Sequence, residues 1–174
     1  MNIFMTGSSN LTKFDKIEIR RYLENYIANH DIHLMCYRSL EHEVLAFFIE
    51  NEEYADKLHL YSFQPLDALS DTLRQSIQYL KEKGSSYYSF GINEILIKRS
   101  VYEKSWEQIL EPIDLVMCFY NRDKASALAP VDIAERMGVD AMIWRLPAYD
   151  EGILDLPIDQ KVEIVESKKI ERYG

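Results

Sequence analysis

The sequence predicts an α/β fold with three layers, in which helices cover both faces of a mainly parallel sheet. Short apolar runs alternate with segments of helical periodicity along residues 1–147, a pattern typical of βαβ units with right-handed crossovers. Residues 113–120 are apolar almost throughout, as expected of a strand that is covered on both faces. We therefore predict a three-layer α/β/α Rossmann-like sandwich.

The composition limits the classes of partner. The chain has 174 residues and a formal net charge of −9. Nucleic acids and anionic membranes both require a basic footprint, so we expect neither as a partner. Cys36 and Cys118 lie in apolar runs without CxxC spacing, which predicts buried thiols in a reducing compartment. With no signal sequence and no apolar run of membrane-spanning length, a cytoplasmic location is expected.

The chain is predicted to form one domain with a short extension. Residues 1–147 carry the alternating pattern of the Rossmann-like domain. Residues 148–174 form a C-terminal extension that begins with a linker-like tract. Within it, residues 161–165 are predicted to add an edge strand, and residues 167–174 a solvated tail.

The first half of the chain alternates strands with helices. Predicted strands are residues 3–5, 32–36 and 58–63. The first helix is expected to start at Asp15, with Glu18 completing a capping box. Ser39 and Ser70 are predicted to cap the next two helices, and Gly84 to end the third near residue 83.

The second half continues the alternation after an interruption. The predicted segments are a surface loop at 85–91, a strand at 94–98, a helix at 100–110, a strand at 113–120, a polar loop at 121–126, a helix at 127–137 and a strand at 139–144. Ser126 is expected to cap the helix at 127–137, and Gly138 to end it. Asp114 is interpreted as structural because it starts a buried strand.

Ligands of parallel α/β sheets sit beyond the carboxyl ends of the strands. This rule selects the loops at residues 6–10, 37–42, 63–65 and 120–126. We expect any ligand site to be built from them.

The first of these loops combines a glycine with hydroxyl groups. Gly7 allows close approach to a ligand, and Ser8 and Ser9 supply hydroxyl donors beside Thr6. The alternative is that Thr-Gly-Ser-Ser is only a tight turn between strand and helix.

The second loop places Arg38 and Ser39 at a helix N-terminus, which favours an anion such as phosphate or carboxylate. Glu41 and His42 lie in the first turn. The alternative is that Arg38 is an ordinary exposed arginine, that His42 is a surface or capping histidine, and that Glu41 suits the helix dipole without any further role.

The fourth loop is rich in groups that bind charged ligands. Asn121 and Ser126 are predicted ligand contacts, and Asp123 joins Glu41 as a candidate catalytic acid.

The four histidines lack metal-ligand spacing, so no metal is predicted. No GxSxG, GxxxxGK[ST] or GxGxxG motif occurs, and no cofactor is predicted. Tyr87, Tyr88 and Phe90 are candidates for stacking on a base, or for packing on their own domain or at an interface.

The order of these motifs resembles the SLOG superfamily. The residues that carry the resemblance are Thr6-Gly7-Ser8 after the first strand, Arg38-Ser-Leu-Glu41 after the second, and the Asp114-Leu-Val strand with the polar loop and helix that follow it. This Rossmann-like group includes lysine-decarboxylase-like nucleotide hydrolases and small nucleotide-sensing proteins. The resemblance spans about residues 1–147 and implies a nucleotide-binding protein.

Three departures bear on activity. Ser9 stands where the sensing proteins have an arginine. Residues 121–127 contain no glycine, although the hydrolases use a glycine-rich phosphate loop there; this argues against phosphoribohydrolase activity. Similar nucleoside deoxyribosyltransferases carry a catalytic glutamate near the position of Pro130, which cannot perform acid–base or nucleophilic chemistry.

Three hypotheses follow for the function. The first is a nucleotide-binding, sensor-like protein, with Gly7, Ser8, Ser9, Arg38 and Ser39 on phosphate or ribose and Glu41 on a hydroxyl. The second is an enzyme that cleaves or transfers an N-glycosidic bond, with Glu41 or Asp123 as the acid. The third is a protein-interaction module with a decayed site. A homodimer is a reasonable default for such folds.

Overall fold

The computed structural model describes residues 1–94 and 96–148, together with the backbone of residues 162–165. The strands are β1 (Asn2–Gly7), β2 (Asp31–Met35), β3 (Leu58–Ser62), β4 (Ser86–Ser89), β5 (Leu115–Tyr120), β6 (Asp140–Arg145) and β7 (Val162–Val165). The α-helices of the described residues are α1 (Lys13–Tyr26), α2 (Glu41–Glu50), α3 (Asp71–Glu82), α4 (Arg99–Leu110) and α5 (Ala129–Met137).

The strands form one sheet in the order β4-β3-β2-β1-β5-β6-β7. The first six are parallel, and β7 pairs with β6 in the antiparallel direction. The chain starts at the centre, builds outward to β4, and then returns to place β5 on the other side of β1. The predicted Rossmann-like sandwich is therefore confirmed.

The helices divide into two layers because each buries its apolar stripe against a different face of the sheet. Side chains of α1, α2 and α3 pack in one core, represented by Leu23, Phe48 and Ile77. Side chains of α4 and α5 pack in the other, represented by Trp106 and Val131. Since α1 and α5 lie on opposite faces, a crevice opens between the ends of β1 and β5, which is the usual ligand position in such sheets.

Three predicted helix caps are wrong. Helix α1 is capped by Thr12, whose hydroxyl accepts from Asp15 N–H at 3.2 Å, while the Asp15 carboxylate accepts from Thr12 N–H at 3.0 Å. Threonine and aspartate are both favoured at the N-cap, so the residue type does not distinguish Thr12 from Asp15. The position at which the chain enters the helix makes Thr12 the cap. Helices α2 and α5 start after Leu40 and Leu128 without a side-chain cap.

Ser39 and Ser126 therefore have other surroundings. Ser39 bonds to the backbone of Gly7, and Ser126 lies inside a 3-10 turn, Ala125–Leu128, that precedes α5. The other predicted cap is confirmed, since the Ser70 hydroxyl accepts from Leu73 N–H at the start of α3.

Two predictions in the region between α3 and α4 are also wrong. The predicted loop at 85–91 contains β4, a strand at the edge of the sheet whose Tyr87 hydroxyl bonds to Ser62 of β3. Serine hydroxyls and half-exposed tyrosines hide the apolar signal of this edge strand. Residues 94 and 96–98, predicted as a strand, have no regular structure, because β4 already takes the position beside β3.

The C-terminal extension is described only in part. Strand β7 pairs with β6 where the sequence predicts an added edge strand. The predicted tail and most of the linker-like tract lie outside the described residues. Cys36 and Cys118 are buried free thiols, as predicted. Within the described part of the chain, none of the helices has the length and apolar character needed to cross a bilayer.

Candidate functional site

The carboxyl ends of β1, β2, β3 and β5 open into one cleft of about 1080 Å³. It draws on all four loops that the sequence selects. Its lining residues are Gly7, Ser9, Cys36, Tyr37, Arg38, Ser39, Glu41, His42, Gln64, Ala68, Leu69, Ser70, Leu73, Tyr102, Asp123, Lys124, Ser126, Ala127 and Ala129.

Gly7 is required by the neighbouring strand. Its φ is +151°, and a Cβ atom placed on it would lie 2.1 Å from the carbonyl oxygen of Phe119 in β5. Such a distance is far inside van der Waals contact. The sequence interpretation assigned this close approach to a ligand, but the backbone of β5 is sufficient to explain the glycine.

The other residues of the first loop divide between the core and the cleft. Thr6 and Ser8 are buried, and the Ser8 hydroxyl accepts from the backbone N–H of Asn121 at 3.0 Å. Neither side chain lines the cleft, whereas Ser9 is exposed and does. Of the three hydroxyl residues in this loop, only Ser9 is therefore placed to meet a ligand.

The carboxylate of Asp123 binds backbone amides of the first loop. Its Oδ2 accepts from the backbone N–H groups of Ser9 and Asn10, each at 3.1 Å. Its Oδ1 accepts from Lys124 N–H at 2.7 Å. The fourth loop thus supplies an anion to the amides of the first, at the place where the fold class commonly holds a bound anion.

Ser39 joins the second loop to the first. Its Oγ accepts from Gly7 N–H and donates to Gly7 O, both at 3.0 Å. Arg38, at φ +48°, is exposed, and its guanidinium carbon lies 5.1 Å from the centroid of the Tyr37 ring. The Ser39 hydroxyl is therefore satisfied within the protein. Arg38 lines the cleft and makes a cation–π contact with Tyr37.

Glu41 is the buried carboxylate of the cleft wall. It is 5% exposed, and its two carboxylate oxygens accept from the backbone N–H of Ser39 at 3.0 and 2.9 Å. Burial raises the pKa of Glu41, and the hydrogen bonds from backbone amides oppose that rise. Glu41, the first residue of α2, is therefore a buried carboxylate with a raised pKa in a cleft, which is a feature of functional carboxylates.

Asn121 holds the loops in place instead of facing the cleft. Its side-chain amide donates to Asn10 O at 2.6 Å and to Asp15 Oδ2 at 2.9 Å. Ser126, in contrast, is exposed and lines the cleft. Of the two ligand contacts predicted in this loop, the structure brings only Ser126 to the cleft, while Asn121 braces the wall.

Tyr102 and the start of α3 were missed by sequence reasoning. Tyr102 lies in α4 and Leu69 and Leu73 flank the start of α3, yet all three line the cleft. Burial raises the pKa of Tyr102 to about 12, so its hydroxyl stays protonated at neutral pH. These residues have the periodicity of ordinary core positions, and only the position of each helix over the sheet brings them to the site.

The cleft is lined by both basic and acidic side chains. Arg38, His42 and Lys124 line it together with the carboxylates Glu41 and Asp123. Both carboxylates are already occupied by backbone N–H groups. The side chains of Arg38 and Lys124 are therefore the part of the cleft that is suited to an anionic portion of a ligand.

The histidines outside the cleft have structural surroundings. His33 lies between Asn2 Oδ1 and the Tyr61 hydroxyl, at 2.9 and 2.8 Å, and stacks on His59 with ring centroids 4.5 Å apart. Burial, with a smaller contribution from His59, lowers the pKa of His33 to about 4. Across residues 1–94 and 96–148, no three His, Cys, Asp or Glu side chains converge in a way that would hold a metal ion.

The chain was also compared with known proteins. No protein-family model matches it. The curated proteins likewise contain no match to it. The resemblance to the SLOG superfamily accordingly stays a prediction.

Proposed function

We propose that the cleft binds a nucleotide or a nucleotide-derived ligand. The observation that carries this proposal is the convergence of four βα loops on one cleft at the β1–β5 switch point. Sheets of this kind use that position for ligands with sugar and phosphate groups. The cleft volume, about 1080 Å³, is ample for such a molecule.

The lining residues support the same ligand class. Arg38 and Lys124 offer cationic side chains for an anionic group. Tyr37 and Tyr102 offer aromatic surface for a base. Ser9 and Ser126 are exposed hydroxyls suited to a sugar. Ser8 and Asn121, which the sequence placed among the ligand contacts, are taken up by bonds within the wall and are left out of the proposed contact set.

A thermal-shift screen with nucleosides and nucleotides at millimolar concentration tests this function, because binding to the folded state raises Tm by an amount that grows with the logarithm of the ligand excess over Kd. We expect at least one of these compounds to raise Tm. Arg38→Ala should weaken the binding of an anionic hit about tenfold or more, the loss expected for one charge-assisted hydrogen bond.

The matched control is Arg21→Ala, which removes an exposed arginine from α1, outside the cleft. Its Kd should equal that of the wild type. The proposal fails if none of the compounds raises Tm. The assignment of Arg38 fails if both arginine variants bind the hit equally well.

A second candidate function is cleavage of an N-glycosidic bond, and the raised pKa of Glu41 favours it. A carboxyl group with a raised pKa retains its proton closer to neutrality and can protonate a leaving group. If this activity exists, release of free base from a bound nucleoside or nucleotide should fall by at least about 100-fold in Glu41→Gln. Glu24→Gln, on the exposed side of α1, should keep the wild-type rate. Equal base release by all three proteins would exclude Glu41 as the acid.

A further inference from the structure

We propose that the cleft accepts a nucleoside or a nucleoside monophosphate and rejects nucleoside di- and triphosphates, with Asp123 as the residue that determines this specificity. The ligand class rests on the proposed function, whereas the role of Asp123 rests on the hydrogen bonds of the loops. The carboxylate of Asp123 occupies the backbone amides of the first loop that a phosphate chain would otherwise bind.

The backbone N–H groups of the first loop are all used within the protein. Four consecutive amides all have acceptors within the protein. Gly7 N–H donates to Ser39 Oγ at 3.0 Å, and Ser8 N–H donates to Phe119 O at 2.8 Å. Ser9 and Asn10 donate to Asp123 Oδ2, each at 3.1 Å. A polyphosphate has no unoccupied amide in this stretch to bind.

Asp123 is itself held in this position. Its backbone N–H donates to Asn121 Oδ1 at 3.0 Å, and its Oδ1 accepts from Lys124 N–H at 2.7 Å. The carboxylate therefore accepts three backbone N–H bonds in a preformed turn. A phosphate at the first loop would have to displace it or lie beside it, and a second negative charge at that distance is repelled.

The second loop repeats the same arrangement. Ser39 N–H donates to both carboxylate oxygens of Glu41. Two walls of the cleft thus present carboxylates whose partners are the chain's own amides. Positive charge comes instead from the side chains of Arg38 and Lys124, on the second and fourth loops. This charge suits one phosphate group, whereas a triphosphate would bring several further negative charges against Asp123 and Glu41.

The prediction is tested by calorimetric titration of the full chain with adenosine and guanosine, their monophosphates and their triphosphates. For the wild type we expect the triphosphate to bind more weakly than the monophosphate of the same base, because its additional negative charges lie against Asp123 and Glu41. Inorganic tripolyphosphate, titrated separately, should not bind detectably at millimolar concentration.

Two variants isolate the contribution of Asp123. Asp123→Ala frees the amides of Ser9 and Asn10 and removes the charge, so its affinity for tripolyphosphate should rise at least tenfold above the wild-type limit. Asp123→Asn removes the charge but retains an oxygen that can accept from the loop amides, and it should show a smaller gain. The Asn variant decides the question if circular dichroism shows that the Ala variant is unfolded.

The outcomes separate the two proposals. A wild-type triphosphate that binds as tightly as its monophosphate, or more tightly, overturns the inference. Tripolyphosphate binding that is unchanged by substitution of Asp123 overturns it as well. If no nucleoside or nucleotide binds the wild type, the proposed function and the ligand class fall together, while the tripolyphosphate comparison still decides whether Asp123 closes the first loop to anions.

Discussion

Replacing Gly7 by alanine should lower the free energy of unfolding by about 3–5 kcal/mol, the combined cost of backbone strain at positive φ and of overpacking against a strand that cannot move aside. The new Cβ would lie 2.1 Å from Phe119 O and 2.8 Å from the carbonyl carbon and the amide nitrogen of the same residue. All three are backbone atoms in the central β1–β5 pairing, so no side-chain rotation relieves the clash. Urea denaturation followed by circular dichroism measures the loss.

Gly138→Ala is the matched control for this prediction. Gly138 also has a positive φ, +74°, but a Cβ placed on it has no heavy atom within 4 Å. Alanine there should cost only about 1 kcal/mol, which is the conformational penalty without the clash. If the two variants lose equal stability, then the contact with Phe119 does not explain the glycine in β1.

The second large effect is expected at Asp15. This side chain is fully buried, and its carboxylate accepts from Thr12 N–H at 3.0 Å, from Asn121 Nδ2 at 2.9 Å and from Ala148 N–H at 2.9 Å. It therefore joins the start of α1 to the fourth loop and to the chain that follows β6. Asp15→Ala leaves three donors without their acceptor and should lower the free energy of unfolding by about 3–4 kcal/mol.

The same denaturation experiment tests this prediction, with Asp67→Ala as the control. Asp67 is an exposed carboxylate in a 3-10 turn, and its replacement should change stability by no more than about 0.5 kcal/mol. Because Asp15 fixes the Asn121 side chain, the Ala variant should also bind the cleft ligand more weakly than the control does. A loss at Asp15 no greater than that at Asp67 would show that the buried network contributes little.

Much of the fold could be predicted from local patterns. The strands at the centre of the sheet are apolar runs with few alternatives, and the run that became β5 is the plainest of them. Helix α3 was placed closely because Ser70 and Gly84 mark its two ends. The four loops of the cleft followed from the rule on carboxyl ends of parallel strands, which depends on the fold class alone.

Two of the wrong helix caps occur where a side chain bonds to a distant part of the chain. Ser39 has the residue type and position of a helix cap, yet its hydroxyl bonds to Gly7, 32 residues earlier. Asp15 also fits a cap pattern, but its carboxylate is shared with residues more than 100 positions away. Local sequence cannot rank these partners, because a hydroxyl or carboxylate satisfies either one equally well.

The sequence by itself determined the α/β class, the order of most elements and the loops from which the cleft is built, since these depend on periodicity and on the short-range chemistry of turns. Only the tertiary structure decided which groups of those loops face the cleft. Ser8 and Asn121 bond to each other behind the cleft, and Tyr102 of α4 lines it. The carboxylate of Asp123 accepts hydrogen bonds from backbone amides of the first loop. The physical reason is that buried hydrogen-bonding groups must find partners, and the partners nearest in space are fixed by how the strands and helices pack together.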